Sequence, residues 1–176
     1  LLSASDDGTA RIWDLRTQKG AVLLNHPTKE VVCARLNIKA GSAHVVASVT
    51  GQSVNLFDVR KPSLILKSVQ VLTENQDEIN DISLSNTEVD SQFQIAACDD
   101  TGATSVVKLN ANTFEVISSR SLTTKHTSIC LKTMISQQNP SLVYTTGFDY
   151  KVCLWNLKDL KKSQSTNLAT MLQNEL

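Results

Sequence analysis

The chain has no excess of either charge: 17 Lys and Arg balance 17 Asp and Glu among 176 residues. That balance removes the long-range attraction behind nonspecific binding to nucleic acid. Paired cysteines are also missing. Cys33, Cys98, Cys130 and Cys153 stand singly, with no CxxC among them, which argues against disulfide and zinc frameworks and leads us to expect a cytoplasmic or nuclear protein. Each lies in an apolar segment, where a free Cys serves as a small buried hydrophobe. No apolar run approaches the ~20 residues of a membrane span. The sequence has no HExxH, no Gly-rich loop opening a helix, no EF-hand loop and no GxSxG elbow. It therefore offers no metal, cofactor or nucleophile motif.

What it does carry is a recurring unit. Leu1 to Arg16, LLSASDDGTARIWDLR, reads as an alternating strand, a polar turn and a returning strand that ends on Trp13 and Asp14. Its Asp-Gly step is a strong hairpin signal, because Gly takes positive φ without penalty. The place of Trp13 is held again by Phe57 in GQSVNLFDVR, Val107 in DDTGATSVVKLN and Trp155 in GFDYKVCLWNL, at steps of 44, 50 and 48 residues. Those steps sit at or just above the roughly 40–45 residues of a four-stranded propeller blade.

At these residues the chain resembles the WD-repeat family, as far as about Leu157. The resemblance implies an all-β fold, a WD-repeat β-propeller fragment of about three and a half four-stranded blades from an expected ring of about seven. Residues 1–18 are expected to be the C-terminal half of a blade, since Leu1 opens in mid-unit, and 19–61 a blade whose outer strand AVLLNH is shared with the one before. Residues 62–111 form a degenerate blade, with Val107 and Lys108 in the Trp and Asp places, and 112–158 the best preserved one. Residues 159–176 read as a linker or weak helix: Leu168, Met171 and Leu172 suit one amphipathic turn, but Ser and Asn oppose it. Lys158, Lys161 and Lys162 read as a solvated run rather than a binding patch.

In WD-repeat blades a His before the first strand, a hydroxyl ending the second, an Asp in the next turn and the Trp form a hydrogen-bonded tetrad. His126, Thr146, Asp149 and Trp155 match those roles, with Thr145 the competing hydroxyl. The opening unit offers Ser5, Asp7 and Trp13; the second keeps His26 and Ser48 but has Phe57 for Trp and no turn Asp. A His, Asp and hydroxyl set also suits a hydrolase. Here its spacing follows the blade template, so the expected role is structural. His44 reads as a loop residue.

The segment after the Trp-Asp pair is more informative. IWDLR, with Trp13, Asp14 and Arg16, resembles the WDxR box of WD-repeat substrate receptors of cullin-4 ubiquitin ligases, and NLFDVR repeats it with Phe57, Asp58 and Arg60. The resemblance implies an adaptor-binding surface made by these six residues, the Arg reaching the ligase adaptor and the Asp bracing the turn. Arg suits the task, since its planar five-donor fork tolerates interface desolvation. The runs NLFDVR, DEINDISLS, KHTSIC and QNPSLVYTTGFDYKVCLWNL resemble one branch of the family beyond blade grammar, because EIN-x-ISL and H-x-SIC are not demanded by a blade. The expected function is a non-enzymatic protein-interaction platform that holds a substrate near a cullin-4 ligase, with no cofactor, nucleic-acid or membrane partner. Two rival readings are a general assembly scaffold, which needs neither Arg, and a reader of histone or other peptides. Glu30, Asp77 and Glu78 are acidic candidates for the latter.

Overall fold

The computed structural model describes residues 1–17, 19–25, 30–37, 45–72, 77–85, 91–122, 126–158 and 161–167; for 19–21, 37, 45–48 and 161–167 it describes the backbone alone. The described residues form antiparallel sheets joined in chain order. The first sheet holds β1 (Leu2–Ser5), β2 (Thr9–Asp14) and β3 (Lys19–Asn25). The second holds β4 (Ala34–Asn37), β5 (Val45–Thr50), β6 (Ser53–Asp58) and β7 (Ile65–Gln70). The third holds β8 (Ile79–Leu84), β9 (Gln92–Asp99), β10 (Thr104–Asn110) and β11 (Val116–Ser121). The fourth holds β12 (Cys130–Ile135), β13 (Leu142–Gly147), β14 (Lys151–Asn156) and β15 (Lys161–Asn167). This is the all-β blade architecture that the recurring unit implies. Among the described residues no helix is long and apolar enough to cross a membrane.

β3 pairs with β2 from Thr9↔Asn25 to Asp14↔Lys19, so the strand expected to be shared with the preceding blade completes a three-stranded first sheet. One expectation is corrected. Residues 161–167, expected to be linker or weak helix, instead form β15, paired with β14 from Lys151↔Asn167 to Asn156↔Lys161. An outermost strand gains its hydrogen bonds from one neighbour and needs no apolar alternation, so KKSQSTN can be a strand without looking like one. Leu168, Met171 and Leu172 lie outside the described residues.

Because side chains alternate along a strand, each inner strand presents one face to the preceding blade and one to the following blade. The core accordingly divides into three seams. Phe57 meets Ala10, Leu24 and Val31 between the first two sheets. Val54, Leu56 and Val69 meet Ile82, Ile95, Ala97, Val107 and Leu109 between the second and third. Ala96, Val106 and Leu122 meet Ile135, Val143, Cys153 and Trp155 between the third and fourth. The residues at the Trp positions of the second, third and fourth sheets, Phe57, Val107 and Trp155, thus look back toward the preceding sheet.

Polar bonds cross the seams at the first strands. Asp81 on β8, with its side chain 2% exposed, pairs with Arg35 on β4 and lies 3.5 Å from Lys132 Nζ on β12. Its other oxygen accepts the Thr133 backbone N–H at 3.2 Å. Nearby, the Ile135 N–H donates to Ser83 Oγ at 2.9 Å. A buried carboxylate persists only when its oxygens are so occupied. Asp81 therefore joins three successive sheets.

Candidate functional site

The two WDxR turns share one geometry. At the end of β2, Asp14 Oδ1 accepts the Arg16 backbone N–H at 3.0 Å and Nε–H at 3.2 Å, while Oδ2 accepts from Nη2 at 3.0 Å. At the end of β6, Asp58 takes the same three donors from Arg60 at 2.9, 2.9 and 2.6 Å. The short Asp side chain caps the turn two residues ahead and clamps the guanidinium bidentately. The Arg60 side chain, and then its backbone N–H, hold the Asp58 carboxyl down at about 2. Arg16 lowers Asp14 in the same way. Each guanidinium is raised in return. Arg16 remains 90% exposed and Arg60 57%. The clamp thus fixes each fork and leaves its outer N–H groups to the solvent.

The aromatic members behave differently from the expectation. Phe57 is fully buried, so it has no surface to offer a partner and is corrected to a core residue. Trp13 is half-buried, and its indole N–H donates to Ser3 Oγ at 2.8 Å. The exposed part of each box is its Arg. In the fourth sheet the corresponding turn carries Asn156 and Lys158, the Lys158 N–H donating to Asn156 Oδ1 at 3.0 Å. In the third, Lys108 stands in the Asp place and Asn110 caps the turn, accepting the N–H groups of Asn112 and Thr113 at 2.8 and 3.1 Å.

In the fourth blade His126, Asp149 and Trp155 converge on Thr145. Trp155 Nε1–H donates to Thr145 Oγ1 at 2.9 Å, and that hydroxyl lies 2.8 Å from His126 Nε2. His126 Nδ1 lies 2.8 Å from Asp149 Oδ1. With the neutral imidazole carrying its proton on Nδ1, that N–H donates to Asp149, and the hydroxyl that accepts from the indole has its proton free to donate to Nε2. Cys130 and Asp149 push the imidazole's titration up against the effect of burial. Burial pushes the Asp149 carboxyl up, but bonds from His126 and the Thr127 N–H outweigh it and leave the carboxyl lowered. Thr146, the hydroxyl expected from sequence, is corrected to Thr145. Trp155 pairs with Val143, so the residue on its own face is two further along, and Thr146 points the other way. In the first blade the hydroxyl also differs from the expected one, here by two residues along the same face: Ser3 rather than Ser5 holds the indole, while Ser5 Oγ accepts the Asp7 N–H at 3.2 Å.

The tetrad also fixes a glycine. A Cβ at Gly147 would come within 2.8 Å of His126 Nδ1 and 2.9 Å of the Ile129 carbonyl oxygen. His126 is 2% exposed, so this His, Asp and hydroxyl set is a packed structural device with no open face toward a substrate. Glu30, Asp77 and Glu78 are exposed. His26, His44 and the Ser48 side chain lie outside the described residues. All four cysteines are buried, and burial pushes the Cys33 thiol up to about 11. Among the described residues no cluster of three His, Cys, Asp or Glu is arranged to hold a metal.

No model of a known protein family matches the chain. A curated relative, WD repeat-containing protein 53 homolog of Dictyostelium discoideum, is 28% identical over 169 residues, covering 92% of this chain. The chain spans 41% of that relative's length. The relative's name agrees with the sequence resemblance from Val54 to Leu157, which points to WD repeat-containing protein 53. With antiparallel sheets repeating in order and Trp positions packed sheet to sheet, the all-β architecture is consistent with a WD-repeat β-propeller fragment, and the chain is similar to this WD-repeat relative.

Proposed function

We propose that the chain is part of a non-enzymatic protein-interaction scaffold, and that it serves as a substrate receptor of a cullin-4 ubiquitin ligase in the cytoplasm or nucleus. The observation that carries this reading is the matched pair of clamped, outward-facing guanidinium forks, Arg16 on Asp14 and Arg60 on Asp58, in successive blades. A fork already held in one rotamer loses less entropy when a partner covers it, which favours binding through preorganisation. Arginines so placed are frequent hot spots. Trp13 and Phe57 support the turns from within.

The test is capture of the cullin-4 adaptor by the intact protein, with Arg16→Ala, Arg60→Ala and the double variant compared at matched thermal melting. Loss of at least about tenfold in affinity for the double variant is the expected result. An intact protein that captures no adaptor, or a folded double variant that captures it equally well, leaves only the general scaffold reading, which needs neither arginine.

A further inference from the structure

The seam between the third and fourth blades opens near its rim into a cavity of about 440 Å³. Three cations converge on it: Lys108 from β10, Arg120 from β11 and Lys158 from the turn after β14. Lys108 pairs across strands with Gln94 and with Ser118, and Val106 pairs with Arg120, so these five side chains form two adjacent rows on the face turned toward the fourth blade. Ser141 and Leu157 complete the wall from that blade. Among the described residues no carboxylate lines the cavity and none of the three cations forms an ion pair. Arg120 spends one N–H on the Leu157 carbonyl at 3.4 Å, which leaves most of its fork open. Gln94 Oε1 is buried without a hydrogen-bond partner.

Three cations drawn together across a blade seam give it a positive potential, although Arg120 and Lys158 are exposed and solvent screens much of their mutual repulsion. Such a wall favours a ligand of opposite charge. The charge here arises where the third blade departs from its siblings, for Lys108 occupies the place of Asp14 and Asp58. A planar monoanion would leave the charge under-neutralised and engage only two directions. A tetrahedral dianion has oxygens for the Arg fork, both lysines and the two serine hydroxyls at once.

We infer that this pocket between the third and fourth blades binds a phosphoryl group, either free phosphate or a phosphomonoester such as a phosphorylated side chain. The site is separate from the WDxR turns and stands whether or not these contact a ligase.

Calorimetric titration of the intact protein with inorganic phosphate, with O-phosphoserine and with serine tests it. Saturable binding of one or both phosphates, none of serine, and at least about tenfold weaker binding to a Lys108→Ala, Arg120→Ala, Lys158→Ala variant of unchanged melting temperature are expected. Tighter binding of O-phosphoserine assigns the site to an esterified phosphate, and equal binding to free phosphate. If the triple variant does not fold, Lys158→Gln, altered only at an exposed turn, carries the same test with a smaller loss. Absence of binding by both phosphates, or equal binding by a folded variant, overturns the inference.

Discussion

The third and fourth blades have the same four-strand order and reach it by opposite means. In the fourth, Trp155, Thr145, His126 and Asp149 form a continuous hydrogen-bonded chain. In the third the matching Trp and hydroxyl places hold Val107 and Ala97, both fully buried among Leu56, Ile82 and Ile95. Removing both members of a buried polar pair in favour of apolar groups is close to neutral, whereas removing one is costly. The blade that looks degenerate in sequence is therefore no less complete in packing. The WD signature is one solution to holding four strands together, and Val with Ala is another.

The largest effect should come from emptying the apolar solution. Ile95→Ala is expected to cost about 2–5 kcal/mol, read as a lower melting temperature, because the fully buried site cannot refill. A cost under about 1 kcal/mol would mean that packing does not replace the tetrad in this blade. Next comes the polar solution. Thr145→Val keeps the shape but strands the Trp155 N–H and His126 Nε2, for an expected loss of about 1–3 kcal/mol in the same measurement. The reverse exchange sharpens the contrast. Ala97→Thr, with no imidazole or indole to meet the new hydroxyl, should destabilise by about 1–2 kcal/mol, and an unchanged melting point would show that the third blade tolerates polar groups after all.

Smaller effects lie in the turns. Tyr150 has φ 58° and is 72% exposed, whereas the corresponding Gly102 has φ 82°. Tyr150→Gly removes left-handed strain without losing packing and should stabilise by about 0.5–1 kcal/mol on denaturant unfolding; no gain would show that strain is absent. The smallest effect tests the second blade, whose Phe57 is apolar but whose turn is ionic. The Asp58 carboxyl is held down at about 2, below its unfolded value of about 3.9. Its contribution is thus complete above about pH 4 and disappears as pH falls toward 2. A carboxyl carbon-shift titration should show the depressed midpoint, and a return toward about 4 is expected in Arg60→Ala.

Much of this was legible in the chain. Alternating segments flanked by Asp-Gly-type turns mark nearly all of the strands, and the spacing of Trp13, Phe57, Val107 and Trp155 gives the blade count. The tetrad hydroxyl was misplaced because alternation selects a face only once the pairing is known: Trp155 opposite Val143 makes Thr145, not Thr146, its neighbour. β15 escaped notice because KKSQSTN carries no apolar signal of its own and gains order from β14. Phe57 read as a contact residue because its box resembles a surface motif, although its position, like those of Val107 and Trp155, packs into a seam between sheets. The meeting of Lys108, Arg120 and Lys158 depends on two sheets coming together, and no local pattern encodes that.

Asp81 has a consequence for how the blades come apart. In a ring assembled from repeats, each unit ordinarily senses its nearest neighbours alone, and melting can creep from one end. A single carboxylate that answers to Arg35 on one side and to Thr133 and Lys132 on the other correlates next-nearest units as well. Pulling either flanking blade away leaves that charge under-compensated in the interior, so the loss of one flanking blade also weakens what holds the other two together.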